Sequence, residues 1–389
     1  MKDLFIDTGY SQTCHWGERA CGDAVAFKRI ASEDRLLCVM ADGLGHGLKA
    51  NILALMTTTM AIKFMAEDSE IVHFSEIIMD SLPVCQERHI SYATFTILDT
   101  RPGGETRVVE MGNPPMLLLR HGKEVKLDHR EVASPKYRDR AMTCYSFTVQ
   151  PGDRIVFFSD GVSQAGLGTA KLPTGWGRDG ALLYARHQIS AMPEISAQEL
   201  SERLLREAIA HEPHLRPADD ITAVTFYYRH PQKMLVFTGP PVDPARDADC
   251  VRYFSEFGGT KIICGGTSAE IVGRGLGKPV IPLPAELGSD LPPMSKLEGA
   301  DLVTEGILTL NRTARYLEHG DESRNDPAGK IVELMRRHDV IEFMVGTKIN
   351  QAHQDPNLPA DLELRRNIVA RIGNVLRDKY MKEVNIRFV

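Results

Sequence analysis

The stretch that constrains this chain most is Cys38-Val39-Met40-Ala41-Asp42-Gly43-Leu44-Gly45-His46-Gly47. A short apolar strand runs into one carboxylate, then into a loop with glycine at every second position. From Leu48 onward residues of a helical period recur at Ile52, Leu55, Met56, Thr59 and Ile62, with the Thr and Met positions read as core packing. A carboxylate at a strand end, followed by residues that let backbone approach closely, can hold a hard metal ion. The same pattern serves a tight strand-to-helix turn with no chemistry. Three further acidic stretches bear on the choice. Gly22-Asp23 opens an alternating segment that runs to Phe27. Ser159-Asp160-Gly161 ends the apolar run Ile155 to Phe158. Asp219-Asp220 stand directly before Ile221-Thr222-Ala223-Val224. Two adjacent carboxylates at a buried strand start repel each other unless a cation sits between them.

At 389 residues the chain is long for one core, so two domains are expected. A formal charge of −6 without a polybasic run argues against nucleic acid or an anionic membrane as partner. Met1 to Asp7 is too acidic, and too short in its apolar run, for a signal peptide. The apolar helical stretch Ile52 to Met65 falls short of the ~20 residues a span needs. Seven cysteines, odd in number and scattered, read as reduced thiols. Cys14-His15 with Cys21 would need a fourth ligand to hold a metal. A cytoplasmic protein is the expectation.

In the first 230 residues, extended structure precedes the opening loop, and helices are expected over Phe74–Leu82, Asp179–His187 and Ala197–His211. Period-two strands are read at Tyr92–Leu98, Thr106–Met111, Met116–Arg120 and Tyr145–Val149. An antiparallel meander with helices before and after it argues for an α+β sandwich rather than alternating βαβ units.

Taken in order, Gly-Asp, Asp-Gly-x-Gly-x-Gly before a long helix, Pro151-Gly152-Asp153 with Ser159-Asp160-Gly161, and Asp219-Asp220-Ile221-Thr222 resemble the PPM-type, metal-dependent serine/threonine protein phosphatases. The branch is the bacterial one typified by the sporulation phosphatase SpoIIE, and the resemblance covers residues 10–228. It implies two packed antiparallel sheets flanked by helix pairs. It also implies hydrolysis of phosphoserine or phosphothreonine by hydroxide bridging two divalent ions, Mn2+ or Mg2+, without a phospho-enzyme. Carried over by position, Asp42 matches the acid that bridges both metals, and the Gly43 carbonyl a backbone ligand. Asp160 and Asp219 match ligands of the second ion. Asp23 matches an acid that holds metal directly or through water. Asp220 is expected either to orient a ligand or to be purely structural. The chain departs from eukaryotic members in having Gly22 before the first acid and Leu44 after the central Asp-Gly. His46 is a candidate proton donor to the leaving group, or a histidine that only caps or packs. Arg19 stands near the spacing of a phosphate-gripping arginine, or is a solvated surface residue.

After His230-Pro231-Gln232-Lys233 the pattern alternates strand and helix. Residues 234–389 are expected to form a smaller α/β domain with a largely parallel sheet, matching no family, in a regulatory or interaction role. Its strands are read at Met234–Thr238, Lys261–Cys264 and Val384–Val389, with further apolar runs at Val280–Leu283, Leu302–Leu310 and Val340–Val345. Its helices are read over Asp243–Phe257 and Asp361–Lys379. Gly265-Gly266-Thr267-Ser268, at a strand-to-helix junction, is a possible anion site or a plain N-cap turn. A small ligand or a protein partner is expected on this domain. Asp301 and Glu305 are acids without an evident partner.

The function expected is therefore a phosphatase acting on a phosphoprotein, in relatives often an anti-sigma-factor antagonist. Two rivals are a phosphatase-like scaffold that signals by partner contact and a phosphatase of small-molecule phosphates. A scaffold has no reason to keep like charges together.

Overall fold

The strand Arg35–Gly43 is apolar along its whole length because both of its faces are covered. Leu36, Cys38 and Met40 point into one buried cluster, Leu37, Val39 and Ala41 into another. Alternation survives in three dimensions as two cores rather than as an inside and an outside. The computed structural model describes residues 4–67, 77, 93–133, 141–284, 290–320, 326–348 and 360–389. Of the helix expected over Phe74–Leu82, only Ile77 is among them, in helical conformation, and the rest lies outside. The chain falls into two compact units, Met1–His230 and Pro231–Val389.

In the first unit the strands are β1 (Phe5–Thr13), β2 (Asp23–Ile30), β3 (Arg35–Gly43), β4 (Ala93–Thr100), β5 (Glu105–Met111), β6 (Leu117–Arg120), β7 (Lys123–Glu124), β8 (His129–Ala133), β9 (Ala141–Thr148), β10 (Arg154–Phe158) and β11 (Ile221–Arg229). The helices are α1 (Gly47–Ala66), α2 (Asp160–Ser163), α3 (Gly177–Ala191) and α4 (Ala197–His211). One sheet runs β1-β11-β10-β6-β7 and the other β2-β3-β4-β5-β9-β8, and neighbouring strands are antiparallel in both. Ile155 and Phe157 of β10 meet Cys38 and Met40 of β3 between the sheets. The other faces of those strands pack outward: Val156 and Phe158 under α3 and α4, Val39 and Ala41 under α1. The layers are helix, sheet, sheet, helix.

The face of α1 corrects the sequence reading. Ile52, Leu55 and Met56 are exposed, whereas Ala50, Leu53, Ala54, Thr57, Thr58 and Ala61 are buried. The helix presents its small side chains to the sheet. Its backbone approaches so closely that a Cβ on Gly43 would stand 2.2 Å from the Ala50 carbonyl oxygen.

Arg35 is 1% exposed and is held by Asp99, itself 1% exposed, through bonds of 2.8 Å and 3.0 Å. Removing one partner of a buried ion pair leaves an uncompensated charge. Asp99→Ala is expected to cost about 3–5 kcal/mol, read as a fall in the urea midpoint at unchanged slope. A change within experimental error would show that Arg35 finds sufficient partners elsewhere.

Cys14 and Cys21 form a disulfide, with Cα atoms 4.4 Å apart. This overturns the expectation of reduced thiols throughout. The pairing depends on the turn after β1 folding back on itself, which cysteine spacing does not reveal. Disulfides are uncommon in a reducing cytosol, so the cysteines no longer support a cytoplasmic address. Among the described residues no helix is long and apolar enough to cross a membrane.

The second unit holds β12 (Lys233–Thr238), β13 (Thr260–Cys264), β14 (Ile281–Pro282), β15 (Ser295–Lys296), β16 (Leu302–Thr304), β17 (Val340–Val345) and β18 (Glu383–Phe388). Its helices are α5 (Asp247–Glu256), α6 (Gly266–Leu276), α7 (Ile307–His319), α8 (Pro327–Arg337) and α9 (Ala360–Asp378). The sheet order is β14-β15-β16-β13-β12-β17-β18, and its five strands from β16 to β18 are parallel. Met234 and Val236 pack with α7, α8 and α9, and Leu235 and Phe237 with α5 and α6. This is a doubly wound sheet, with helices on both faces. The helix expected over Asp243–Phe257 begins as a tight turn, Pro244–Arg246, before α5. Asp301 and Glu305 do have partners, the amides of Lys261 and Leu308.

Candidate metal centre

Strand register sets the first pair of acids. β2 and β3 are aligned so that Asp23 lies opposite Asp42. The Gly43 N–H donates to the Gly22 carbonyl at 3.1 Å, which ties the two strand ends together. Gly45 and Gly47 carry φ values of 89° and 78°, so the turn from β3 into α1 needs glycine at both positions. Gly22 also has a tertiary reason: a Cβ there would stand 2.6 Å from Asp220 Oδ2.

The other sheet brings the remaining acids. Asp160 follows β10 and Asp219-Asp220 precede β11, its antiparallel neighbour. The Ser159 N–H donates to the Thr222 carbonyl, and the Thr222 N–H to Ser159 Oγ, each at 3.0 Å. A Cβ on Gly161 would stand 2.1 Å from the Asp220 carbonyl. The Asp-Gly pair at 160–161 is therefore a condition for the two strand ends to close on each other.

These acids share one electrostatic neighbourhood. Burial pushes the Asp42 carboxyl up to about 10, and Asp23, Asp160 and Asp219 add to the rise. Burial likewise pushes Asp23 up to about 7, helped by Asp220 and Asp219 and opposed by the nearby hydroxyls of Thr222 and Ser159. Those hydroxyls stand close without completing a hydrogen bond: among the described residues neither Asp23 oxygen has a partner, nor does Asp220 Oδ2. Asp219 is raised by burial, while the Asp220 N–H, which donates to its Oδ1 at 2.8 Å, works against the rise. Asp160 Oδ2 accepts from Gln164 Nε2 at 2.7 Å. Buried carboxylate oxygens without partners, on acids that oppose one another's ionisation, suit a hard divalent cation. The donor set is all oxygen, the preference of Mg2+ and Mn2+.

His46 stands at the N-cap position of α1 but makes no capping hydrogen bond. Its Nδ1 meets Glu18 Oε1 at 2.9 Å, and its ring stacks on His15 with centroids 4.4 Å apart. The His15 N–H donates to Asp220 Oδ1 at 2.9 Å. Ligand atoms of His15, Glu18 and His46 lie within 4.8 Å of one another. Glu18 and His15 were not picked out from the sequence as parts of this site, and no local spacing marks them: the loop between β1 and β2 delivers both. Arg19 is on that same loop, exposed. Gly265, Gly266, Thr267 and Ser268 belong to the second unit.

The family described as Stage II sporulation protein E (SpoIIE) matches residues 32–229. No curated protein matches the chain at a significant level. Solved structures of similar fold include the phosphatase domain of SpoIIE from Bacillus subtilis. It is 17% identical, covers 59% of this chain and 95% of that one, and has a TM-score of 0.45. A second Bacillus subtilis SpoIIE structure, with a fragment of the regulatory domain, is 17% identical, covers 59% and 65%, and has a TM-score of 0.49. The RsbU and RsbW domains of a Mycobacterium tuberculosis protein are 20% identical, cover 64% and 67%, and have a TM-score of 0.48.

Proposed function

Because the chain belongs to the SpoIIE family, with a PPM-type phosphatase domain in its first unit, we propose that it hydrolyses phosphoserine or phosphothreonine on a signalling protein with two divalent cations. The observation that supports this best is the orphaned pair of oxygens on Asp23, buried opposite Asp42 among three further acids. A fold has no use for such a cluster unless cations complete it.

In this reading Asp23, Asp42, Asp160, Asp219 and the Gly43 carbonyl hold the ions. Mn2+ or Mg2+, when bound, lowers the pKa of water and offsets charge on the phosphoryl oxygens. Asp220 fixes the loop between β1 and β2 through the His15 amide. Glu18 holds His46 Nδ1, which leaves Nε2 as the atom that carries a proton to the departing seryl or threonyl oxygen. Arg19, exposed on the same loop, would grip the substrate's phosphate. The phosphoprotein is a small bacterial signalling protein of the anti-sigma-factor-antagonist kind. We assign the second unit a regulatory or partner-docking role.

The test is phosphate release from a phosphoserine peptide and, in parallel, from small phosphate esters. Release from the peptide should require added Mn2+ or Mg2+ and fall to background in EDTA. Full activity in EDTA would sink the proposal, and a strong preference for the small ester would move the substrate class. Removing residues 233–389 should alter substrate choice or its control. Identical behaviour would count against the role given to the second unit.

A further inference from the structure

In the second unit, β13 and β16 lie side by side and end together, with Cys264 opposite Thr304. Each is followed by a glycine N-cap and a helix, Gly265 before α6 and Gly306 before α7. The two glycines touch: a Cβ on Gly306 would stand 3.4 Å from the Gly265 Cα. The Gly265 N–H donates to the Thr304 carbonyl at 2.9 Å. Gly265 has a φ of 137°, a conformation that residues with a side chain rarely adopt. Two helices thus begin at one point, and their partial positive charges add there.

The α7 end is already answered in part, since Glu305 Oε2 accepts from the Leu308 N–H at 3.1 Å. The α6 end is not. Its N-cap is a glycine and supplies no side-chain cap. The leading amides of α6, at Gly266, Thr267 and Ser268, have no acceptor within the helix. Gly266 and Thr267 are exposed, and a Cβ on Gly266 would meet nothing within 4 Å.

A second observation points independently to a ligand. The Ser268 side chain is 0% exposed, and its Oγ lies 3.6 Å from the Cβ position of Gly265, at the contact between the two glycines. That hydroxyl has no hydrogen-bond partner among the described residues. A buried hydroxyl left unpaired is destabilising, and an oxyanion seated on the glycines would accept from it.

Topology explains why the site is here. In a doubly wound sheet the usual ligand crevice opens where the winding reverses, between β12 and β17. In this chain backbone fills that crevice. The Gly346 N–H donates to the Thr238 carbonyl at 2.8 Å, and the Lys348 N–H to the Pro240 carbonyl at 3.1 Å. A Cβ on Gly346 would stand 2.1 Å from the Gly239 carbonyl. The neighbouring crevice, between the starts of α6 and α7, is left open at Gly266.

We propose that this crevice binds the phosphoryl group of a small phosphorylated ligand or free phosphate, held by the amides of Gly266, Thr267 and Ser268 and by the Ser268 hydroxyl. Converging amides at a helix start, with one hydroxyl beneath them, match a tetrahedral oxyanion. The site is built wholly from residues of the second unit, and it stands whether or not the acid cluster of the first is a phosphatase centre.

The experiment is calorimetric titration of the full chain with inorganic phosphate, and separately with AMP, in EDTA. Without divalent ions the acid cluster of the first unit offers phosphate no cation to bind, so the binding observed belongs elsewhere. Gly266→Glu places a carboxylate on the same amides without a steric clash, and an acid in the first turn suits the helix dipole. It should weaken phosphate binding at least about tenfold with the melting temperature unchanged or raised. Ser268→Ala should weaken it by roughly three- to tenfold. Tighter binding of AMP, competitive with phosphate, identifies a nucleotide; binding of phosphate alone identifies the free ion. No binding to the metal-free wild type, or equal binding to wild type and Gly266→Glu, overturns the proposal.

Discussion

Asp42→Asn is expected to lower metal-dependent phosphatase turnover by roughly a hundred- to a thousandfold, while making the metal-free protein more stable. The two effects come from one cause. Asp42 faces Asp23 across β2 and β3, and burial with three neighbouring acids holds its carboxyl far above the usual carboxylate range. Without cations this arrangement is unfavourable, and an amide of the same shape relieves it. The gain should be on the order of 1–2 kcal/mol, several degrees in melting temperature for a unit of this size. Saturating Mn2+ or Mg2+ should reverse the ranking, because the wild type gains binding energy that the variant lacks. A variant that is both active and less stable without metal would contradict the assignment of Asp42.

The stability of the metal-free wild type should fall as pH rises from about 4 towards 10. Asp23 is raised to about 7 and Asp42 to about 10, both well above an ordinary aspartate. The folded state therefore binds more protons than the unfolded chain across this window. The stabilisation is complete below the unfolded pKa and is lost as each folded pKa is passed. Divalent cations replace those protons, so the rise in melting temperature on adding Mn2+ should grow with pH, by several degrees between about pH 5 and 8. Metal binding at pH 6 should also release protons, seen as a calorimetric enthalpy that varies with buffer ionisation heat. A metal-free melting temperature that climbs with pH over this range would show that the acids are not held together.

Element types were legible because they follow local periods. The apolar runs along β3 and β10, the acid-glycine steps at 42–43 and 160–161, and the change to alternating strand and helix after His230 are written within short windows. The buried face of α1 was not legible. Two apolar stripes compete on that helix, and the close approach of Ala50 to Gly43 selects the one with small side chains.

The sequence by itself determined which residues stand at strand ends, and hence which carboxylates are available at the edge of a sandwich. Tertiary structure decided which of them meet. The pairing of Asp23 with Asp42 is a matter of register, and the closing of Asp160 on Asp219-Asp220 depends on β10 lying beside β11. The Glu18–His46–His15 group and the contact of Gly265 with Gly306 arise from chain closure between distant segments, and the Cys14–Cys21 bond from the turn after β1 folding back on itself. The physical reason is range: steric and hydrophobic periodicity act within a few residues, whereas register and loop closure are settled only when whole cores pack.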